Sequence, residues 1–329
     1  MSEMMRGAWY ERFGPAAEVI STGELEAPQP QAGEVRVRIA VSGVNPVDVK
    51  RRLGGRGASD GSRVVPHFDG AGTIESVGYG VPESRLGERV WVYEAQFERA
   101  FGTAAELAVV ASDLAVPLPE GADLDAGACL GIPALTAHRC VFADGSVAGQ
   151  TVLVTGGAGA VGNYAVQFAK LDGASVIATV SGDDKADLAR QAGADHVVNY
   201  RTEDVAARLV ELAGESGLDR VVEVEFGGNL EASMAALRNN GVIATYASQA
   251  NPEPTVPFYV LVYKNITVQH VLVFGMPADA KKQGVDDISR WLEADQLQHH
   301  LGPRFGLDQI VAAHEAVEGG VFGKVLVDL

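Results

Sequence analysis

The sequence predicts an α/β fold, a doubly wound parallel sheet inserted into a second, β-rich domain. Three observations carry this prediction. Through the middle of the chain, apolar strand-like runs without polar alternation take turns with helical segments, which requires a parallel sheet covered on both faces. The stretch before them consists of short alternating runs bounded by Gly, Pro and Asp. The stretch after them, from about Met276 to Leu329, is too small to stand alone and is assigned to the first domain. At 329 residues, 47% hydrophobic and 21% charged, the chain is long for one core and fits two domains.

Residues 5–125 read as mostly β. In GEVRVRIAVSG the apolar residues alternate from Val35 to Val41, the mark of a half-buried strand. GAGTIESVGYG, ERVWVYEA and TAAELAVVAS add further short strands, and their close spacing suggests a partly open barrel or a sandwich. From Leu124 the character changes: LDAGACLGIPALTAHRCVF has helical spacing and leads into QTVLVTGGAGAVGNYAVQFAKL. Then come SVIATV, DKADLARQAG, DHVVNY, EDVAARLVELAG, RVVEVE, NLEASMAALRNNG and VIATYA, strands and helices in alternation. ITVQHVLVF, Ile266 to Phe274, is a long β-prone run at the end of this block. An unpaired edge strand of that kind invites its twin, so a homodimer is expected. The tail holds two helices, VDDISRWLEA and LDQIVAAHEAVEG, and a last strand, GKVLVDL. The expected domains are therefore 1–124 plus 271–329 for the substrate-binding part and 125–270 for the inserted sheet.

Composition excludes several classes. The net charge of −17 argues against nucleic acid, which needs a basic face, and against anionic membranes. Only two cysteines occur, Cys129 and Cys140, both in a helical stretch, so a disulfide scaffold is excluded and a reducing cytoplasm is expected. MSEMMRGAWY lacks an apolar signal core, and no segment is long and charge-free enough for a bilayer.

The sharpest local signal is TVLVTGGAGAVGNYAVQFAK. A strand enters Gly157-Ala158-Gly159-Ala160-Val161-Gly162 and a helix leaves it. On this pattern Gly157 permits the tight turn, Gly159 lets the backbone approach a pyrophosphate, and Gly162 allows close helix–strand packing. The positive end of the helix then faces the anion. Short-chain reductases are set aside, because Ala160 breaks their T-G-x-x-x-G-x-G turn and no tyrosine has a lysine four residues on. An NAD-binding site would place an acid at the end of the next strand, where this chain has Val180 and Ser181. Ser181 and Lys185 suit a 2′-phosphate, so NADPH is preferred to NADH, provided that Asp183 or Asp184 caps the following helix.

These residues carry a resemblance. GGAGAVG opening a helix in mid-chain, with a β-rich domain before and a helical return after, resembles the medium-chain dehydrogenase/reductase superfamily. SGVNPVDVK, LGIPALTAHRCV, DHVVNY and AAHEAVEGGVFGKVLVDL look like its zinc-independent quinone oxidoreductase branch, the zeta-crystallin-like enzymes. The resemblance spans nearly the whole chain after Met5 and implies a Rossmann domain inserted into a GroES-like domain. Zinc-dependent members hold the metal with a cysteine where this chain has Asn45 and a histidine where it has Phe68. His67 lies one residue out of that register, and the four-cysteine lobe is absent, so no metal site is expected. His299-His300 is expected to be an exposed loop pair.

By the same resemblance, Ala158 to Val161 would lie on the pyrophosphate, and Ser181, Lys185 and Tyr200 would surround the 2′-phosphate. Thr136, Tyr246, Ala247 and Ser248 would line the cofactor groove. Val271, Val273 and Phe274 would border the nicotinamide, and Phe322, Gly323 and Lys324 would close over it. For Tyr200 and Tyr246 ordinary core packing is the alternative, and for Val271 to Val273 a buried strand. The substrate pocket would draw on Asn45, Lys50 and Phe68. Lys50, Arg51 and Arg52 stand where relatives often have a tyrosine, and Glu223 where they have aspartate. The implied chemistry is metal-free reduction of a quinone or an α,β-unsaturated carbonyl by NADPH. Asn45 would polarise the substrate oxygen or else only shape the turn before Pro46, and Asp48 would fix that loop. The alternatives are an alcohol or ketone reductase and a non-catalytic NADPH-binding protein.

Overall fold

The computed structural model describes residues 3–54 and 61–329. The chain packs as two compact units, Met1–Ile132 with Val285–Leu329, and Pro133–Gly284. These borders lie further along the chain than the expected 124 and 270, because they fall inside helices rather than in loops. The first half of the helix Leu124–Phe142 packs on the first unit, where Gly127 meets Ala71 and Trp91. Its second half belongs to the other unit: Leu135 and His138 meet Gly284 of the helix Ala278–Glu293.

In the first unit the strands are β1 (Met4–Trp9), β2 (Ser21–Glu26), β3 (Glu34–Val44), β4 (Asp69–Val77), β5 (Arg89–Val92), β6 (Leu107–Ala111) and β7 (Ala115–Pro117). The inserted unit supplies β8 (Thr151–Val154), β9 (Ser175–Val180), β10 (His196–Asn199), β11 (Leu218–Glu223), β12 (Leu237–Thr245) and β13 (Thr267–His270). The tail returns β14 (Leu301–Gly306) and β15 (Lys324–Asp328) to the first unit.

The long strand β3 organises the first unit. It pairs with β4 along one edge; along the other it pairs with β6 and then, further on, antiparallel with β15. Val35, Val37 and Ile39 point into a core with Ile74, Val90, Val92, Ala108 and Val110, as the alternation predicts. The half-buried reading holds only for the start of the strand. From Val41 to Val44 every residue is buried, and a Cβ on Gly43 would stand 2.2 Å from the Ala128 carbonyl of the overlying helix.

In the second unit all six strands are parallel, in the order β10-β9-β8-β11-β12-β13. This is a doubly wound sheet whose direction of winding reverses between β8 and β11, the place where such sheets bind ligands. Leu153, Ile177, Val198, Val221 and Ile243 form its core with Leu209, Phe226 and Leu230 from helices. The run from Ile266 to Phe274 is only partly strand. β13 ends at His270, and the chain turns through Val273–Gly275 to bury Val273 and Met276.

A buried polar chain crosses the first unit. The Thr103 hydroxyl donates to the Asp69 carbonyl at 2.6 Å, an acceptor only. Ser42 Oγ, 2.7 Å from Thr103 Oγ1, therefore donates to it and accepts from His67 Nδ1 at 2.8 Å. That tautomer leaves a lone pair on His67 Nε2, so His314 Nε2, 3.0 Å away, must carry the proton. Both imidazoles are fully buried and neutral. Burial, then the neighbouring His314 and Lys324, pushes His67 well below its ordinary value; burial, then Arg52, pushes His314 down to about 3.

The sign of the resulting pH dependence follows. Below the ordinary histidine value of 6.5 the unfolded chain takes up protons that the folded chain refuses, so stability falls as pH falls. Each such histidine contributes up to about 1.4 kcal/mol per pH unit. His314→Gln keeps a donor opposite His67 Nε2, and should flatten the slope of stability by about 1.4 kcal/mol per unit between about pH 6 and pH 4. Urea unfolding across that range measures it, and an unaltered slope would overturn the reading of His314 as a buried, neutral imidazole.

Candidate active site

The order of three neighbouring strands assembles one polar cluster in the first unit. β15, β3 and β4 lie side by side, with Val325 opposite Val44 and Gly43 opposite Asp69. Lys324, Asn45 and Asp69 are thereby brought together at one end of the sheet. Asn45 Nδ2 donates to Asp69 Oδ2 at 2.7 Å, and Lys324 Nζ donates to Asn45 Oδ1 at 2.6 Å and to Asp69 Oδ2 at 3.0 Å. The Ile132 N–H adds contacts of 3.0 and 3.1 Å to the same carboxylate. Two glycines make room: a Cβ on Gly131 would stand 2.0 Å from Asp69 Oδ1, and one on Gly43 would stand 2.7 Å from Lys324 Cε. The three side chains are at most 4% exposed.

Local sequence aims Asn45. It precedes the helix Pro46–Arg52, with proline at the first helical position, where its missing N–H costs nothing. The Asn45 N–H donates to Asp48 Oδ2 at 2.6 Å, so Asp48 fixes the turn as expected. Asp48 is itself buried. Burial pushes its carboxyl up to about 7, the Asn45 N–H and Lys324 opposing and the Asp69 charge adding. Asn45 thus does shape the turn before Pro46, through its backbone, while its side chain is oriented by the ion pair, with one N–H on Asp69 and its oxygen on Lys324.

The other pocket residues separate. Lys50 is exposed, whereas Phe68 is 2% exposed with the Arg51 guanidinium carbon 5.7 Å from its ring centre. Phe322 and Gly323 are half-buried, and the ring of His300 meets Phe322 edge-on at 4.4 Å. His299 and His300 are therefore partly buried, not an exposed pair. Lys324, expected over a nicotinamide, directs its ammonium into the buried cluster instead.

In the second unit the residues expected to hold a dinucleotide follow the carboxyl ends of successive strands. The turn Gly157 to Gly162 follows β8, Ser181 β9, Tyr200 β10, Tyr246 to Ser248 β12, and Val271 β13. The glycine turn differs in detail from its reading. The left-handed residue is Gly156, at φ 66°, while Gly157 serves close packing: its Cβ would stand 2.6 Å from that of Ala178 in β9. Gly159, exposed, caps the helix Ala160–Leu171, and Gly162 is the tight contact, a Cβ there lying 2.2 Å from the Gly156 carbonyl. The first-turn N–H groups of Ala160, Val161 and Gly162 have no intrahelical acceptor. A cradle of small residues at a helix start fits a pyrophosphate. Ala158 is buried beside it.

Around this turn, Ser181 is buried, Lys185 is half-buried and Tyr200 is 51% exposed, so Tyr200 is no core aromatic. Gly182 caps the next helix with no side-chain cap, so neither Asp183 nor Asp184 is the cap; both lie in the first turn. Tyr246, Ala247 and Ser248 are half-buried, and Ser248 Oγ already accepts from the Gly227 N–H at 2.9 Å. Thr136, Val271 and Val273 are buried and Phe274 half-buried. Glu223, at the end of β11, is buried. Its carboxylate accepts from Thr155 Oγ1, the Glu225 N–H and Asn229 Nδ2 at 2.6–2.8 Å, tying the ends of β8 and β11 together.

Among the described residues no three His, Cys, Asp or Glu side chains are placed to share a metal ion. Asn45 and Phe68, expected at the ligand positions of zinc-dependent members, stand beside Asp69, whose carboxylate already carries Lys324. Cys129 and Cys140 are buried helix residues whose thiols burial pushes up to about 12. No helix is long and apolar enough to cross a membrane among the described residues.

Comparison with known proteins agrees with this architecture. Residues 31–120 match the alcohol dehydrogenase GroES-like domain and residues 160–290 the domain described as zinc-binding dehydrogenase. A quinone oxidoreductase of Pseudomonas aeruginosa is 30% identical, covering 90% of this chain and 91% of its own. An NAD-dependent alcohol dehydrogenase superposes with a TM-score of 0.90 at 29% identity, over 99% of this chain and 100% of the other. A mycobacterial protein solved in complex with NADPH superposes at 0.86 with 26% identity, over 99% and 100%. The chain belongs to the quinone oxidoreductase branch of the medium-chain dehydrogenase/reductase superfamily, an NAD(P)-dependent oxidoreductase with a Rossmann sheet and a GroES-like domain.

Proposed function

We propose that the chain reduces quinones or α,β-unsaturated carbonyls with NADPH and without zinc. The observation that carries this reading is the buried Asn45–Asp69–Lys324 cluster at the place where zinc enzymes of the superfamily carry ligands. The amide of Asn45 has two N–H bonds. Asp69 engages one, leaving the other for the acceptor's oxygen, with the amide held rigid by Lys324 on its carbonyl side. NADPH, when bound, supplies the hydride. As negative charge grows on the acceptor oxygen, Asn45 stabilises it by a preorganised hydrogen bond, and solvent provides the proton. Quinones and enones suit a site with so little acid assistance, because their oxyanion is delocalised. A simple ketone leaves a localised alkoxide and needs more help.

Gly157, Ala158, Gly159, Ala160, Val161 and Gly162 would hold the pyrophosphate; Ser181, Lys185 and Tyr200 would take the 2′-phosphate. Thr136, Tyr246, Ala247, Val271, Val273, Phe274, Phe322 and Gly323 would contribute walls, and Ser248 the backbone turn it stabilises. Loss of dihydronicotinamide absorbance over a panel of quinones, enones and simple ketones tests the reaction class; turnover confined to simple ketones would reject it. The reading also holds the protein to be a cytoplasmic homodimer. Its support is the free edge of β13 beside the helix Phe258–Lys264, whose Phe258, Tyr259 and Tyr263 are 66%, 69% and 81% exposed.

Three outcomes are expected. NADPH should bind at least about tenfold tighter than NADH, since one phosphate contact pair is worth about 1.4 kcal/mol. Calorimetric titration with both cofactors measures this, and equal affinity would remove the assignment of Ser181 and Lys185. Asn45→Ala should lower kcat about tenfold to a hundredfold with NADPH affinity nearly constant. If it instead lowers only the melting temperature, Asn45 is a structural residue. Light scattering at micromolar concentration should give a dimer, and Tyr259→Glu with Tyr263→Glu should shift it to monomer; a wild-type monomer would refute the interface.

A further inference from the structure

Three consecutive basic residues meet three fates. Lys50 points to solvent. Arg52 is fully buried and committed, pairing with Glu318 and donating to the Gly14 carbonyl. Arg51 is half-buried over the face of Phe68, and its one hydrogen bond of good geometry runs from Nη1 to the Gln96 carbonyl at 3.1 Å. No carboxylate of the described residues comes within ion-pair distance of it. A guanidinium carries five N–H donors, so Arg51 keeps most of them available.

Beside it lies a second incomplete group. Gln96 is 1% exposed, and neither its side-chain oxygen nor its nitrogen finds a partner of good geometry. Buried amides are seldom left this way, because an unpaired polar group withdrawn from water loses its hydration without replacement. The Tyr10 hydroxyl, 2% exposed, faces both Gln96 and Arg51. All of this adjoins the Asn45 turn: Asp48 and Arg51 share the helix Pro46–Arg52, and Phe68 precedes Asp69.

We propose that Arg51, with Gln96 and Tyr10, binds a carboxylate of the acceptor, so that the enzyme favours quinones or enones that are also carboxylic acids. The inference rests on the reading of Asn45 as the place of the acceptor's oxygen. The planar guanidinium edge matches a carboxylate, and Gln96 presents a donor whichever way its amide is turned. Charge balance selects a monoanion. Lys324 already serves Asp69 and Arg52 serves Glu318, so among the described residues Arg51 is the half-buried cation of this neighbourhood with no carboxylate at ion-pair distance, while the buried Asp48 nearby opposes a dianion such as a phosphate monoester.

The test compares β-acetylacrylate with its methyl ester, two acceptors of one skeleton that differ in the charge. The wild-type chain should show a kcat/KM for the acid at least about tenfold above that for the ester. Arg51→Met should reduce the acid-to-ester ratio about tenfold or more, mainly through KM for the acid, and Gln96→Leu should reduce it less. Melting temperatures identify a variant that fails to fold, and Arg51→Lys, which keeps the charge but not the fork, should retain part of the preference. Equal use of acid and ester by the wild type, or an unmoved ratio in folded Arg51→Met, overturns the proposal. If neither acceptor is reduced, calorimetry with levulinate and its methyl ester decides separately. Levulinate binding that Arg51→Met abolishes supports the anion site while rejecting the reductase reading, and equal binding of acid and ester rejects the site.

Discussion

An ammonium and a carboxylate, both withdrawn from water, lie 3.0 Å apart in Lys324 and Asp69, and much of the first unit is arranged around keeping them matched. Burying either alone would cost several kcal/mol, and even as a pair they gain little unless their remaining hydrogen-bonding capacity is met. Asn45 and the Ile132 N–H meet it. The pairing also dictates topology, because its partners come from β15, β3 and β4, and β15 is the last strand of the chain. The tail must therefore return to the sheet begun near the N-terminus. Gly43 and Gly131 follow from the same constraint, since a side chain at either place would displace the lysine stem or the carboxylate.

The second unit solves a different problem, presenting backbone rather than side chains. Its parallel strands end together, and the turn after β8 is built from residues small enough to approach β9 and to let the helix start against its own incoming chain. Each glycine there meets a different atom: Ala178 for Gly157 and the Gly156 carbonyl for Gly162. Glu223 pins the turn after β8 to the turn after β11 by accepting from Thr155 Oγ1, the Glu225 N–H and Asn229 Nδ2. Burial raises its carboxyl above the usual range, while those donors oppose the rise. The switch point is thus held by a buried acid on one side and by glycine packing on the other.

Much of this was legible in the sequence because it is local. The apolar periods of β3 and of the central strands, the strand–glycine–helix turn and the Asn-Pro helix start each occupy a few consecutive residues. What escaped was long-range or a matter of helix phase. Asp69 was read only for metal-ligand register, since its partner Lys324 lies 255 residues away. Lys50 is the residue the sequence suggests for the pocket, and a rotation of about 100° per residue turns its side chain outward and that of Arg51 over Phe68. Gly157 was given the turn that Gly156 makes, because two adjacent glycines give no sign of which takes positive φ. The helix Phe258–Lys264, apolar yet without a buried residue, has no sequence pattern that distinguishes it from core.

Charge accounting around Asn45 shows why a neutral amide, rather than another ionised group, suits that position. The neighbourhood already contains Asp69, Lys324 and a buried Asp48 whose carboxyl burial pushes up to about 7. An acid at residue 45 would add a second negative charge against Asp69 with one ammonium between them. A base would compete with Lys324 for the same carboxylate. An amide does neither: its oxygen accepts from Lys324, its nitrogen donates to Asp69, and its dipole lies along the field of the pair. The ion pair orients the amide without neutralising it. Such a group needs no rearrangement when charge develops on an adjacent oxygen, which is the condition under which a fixed dipole stabilises a transition state more than water would.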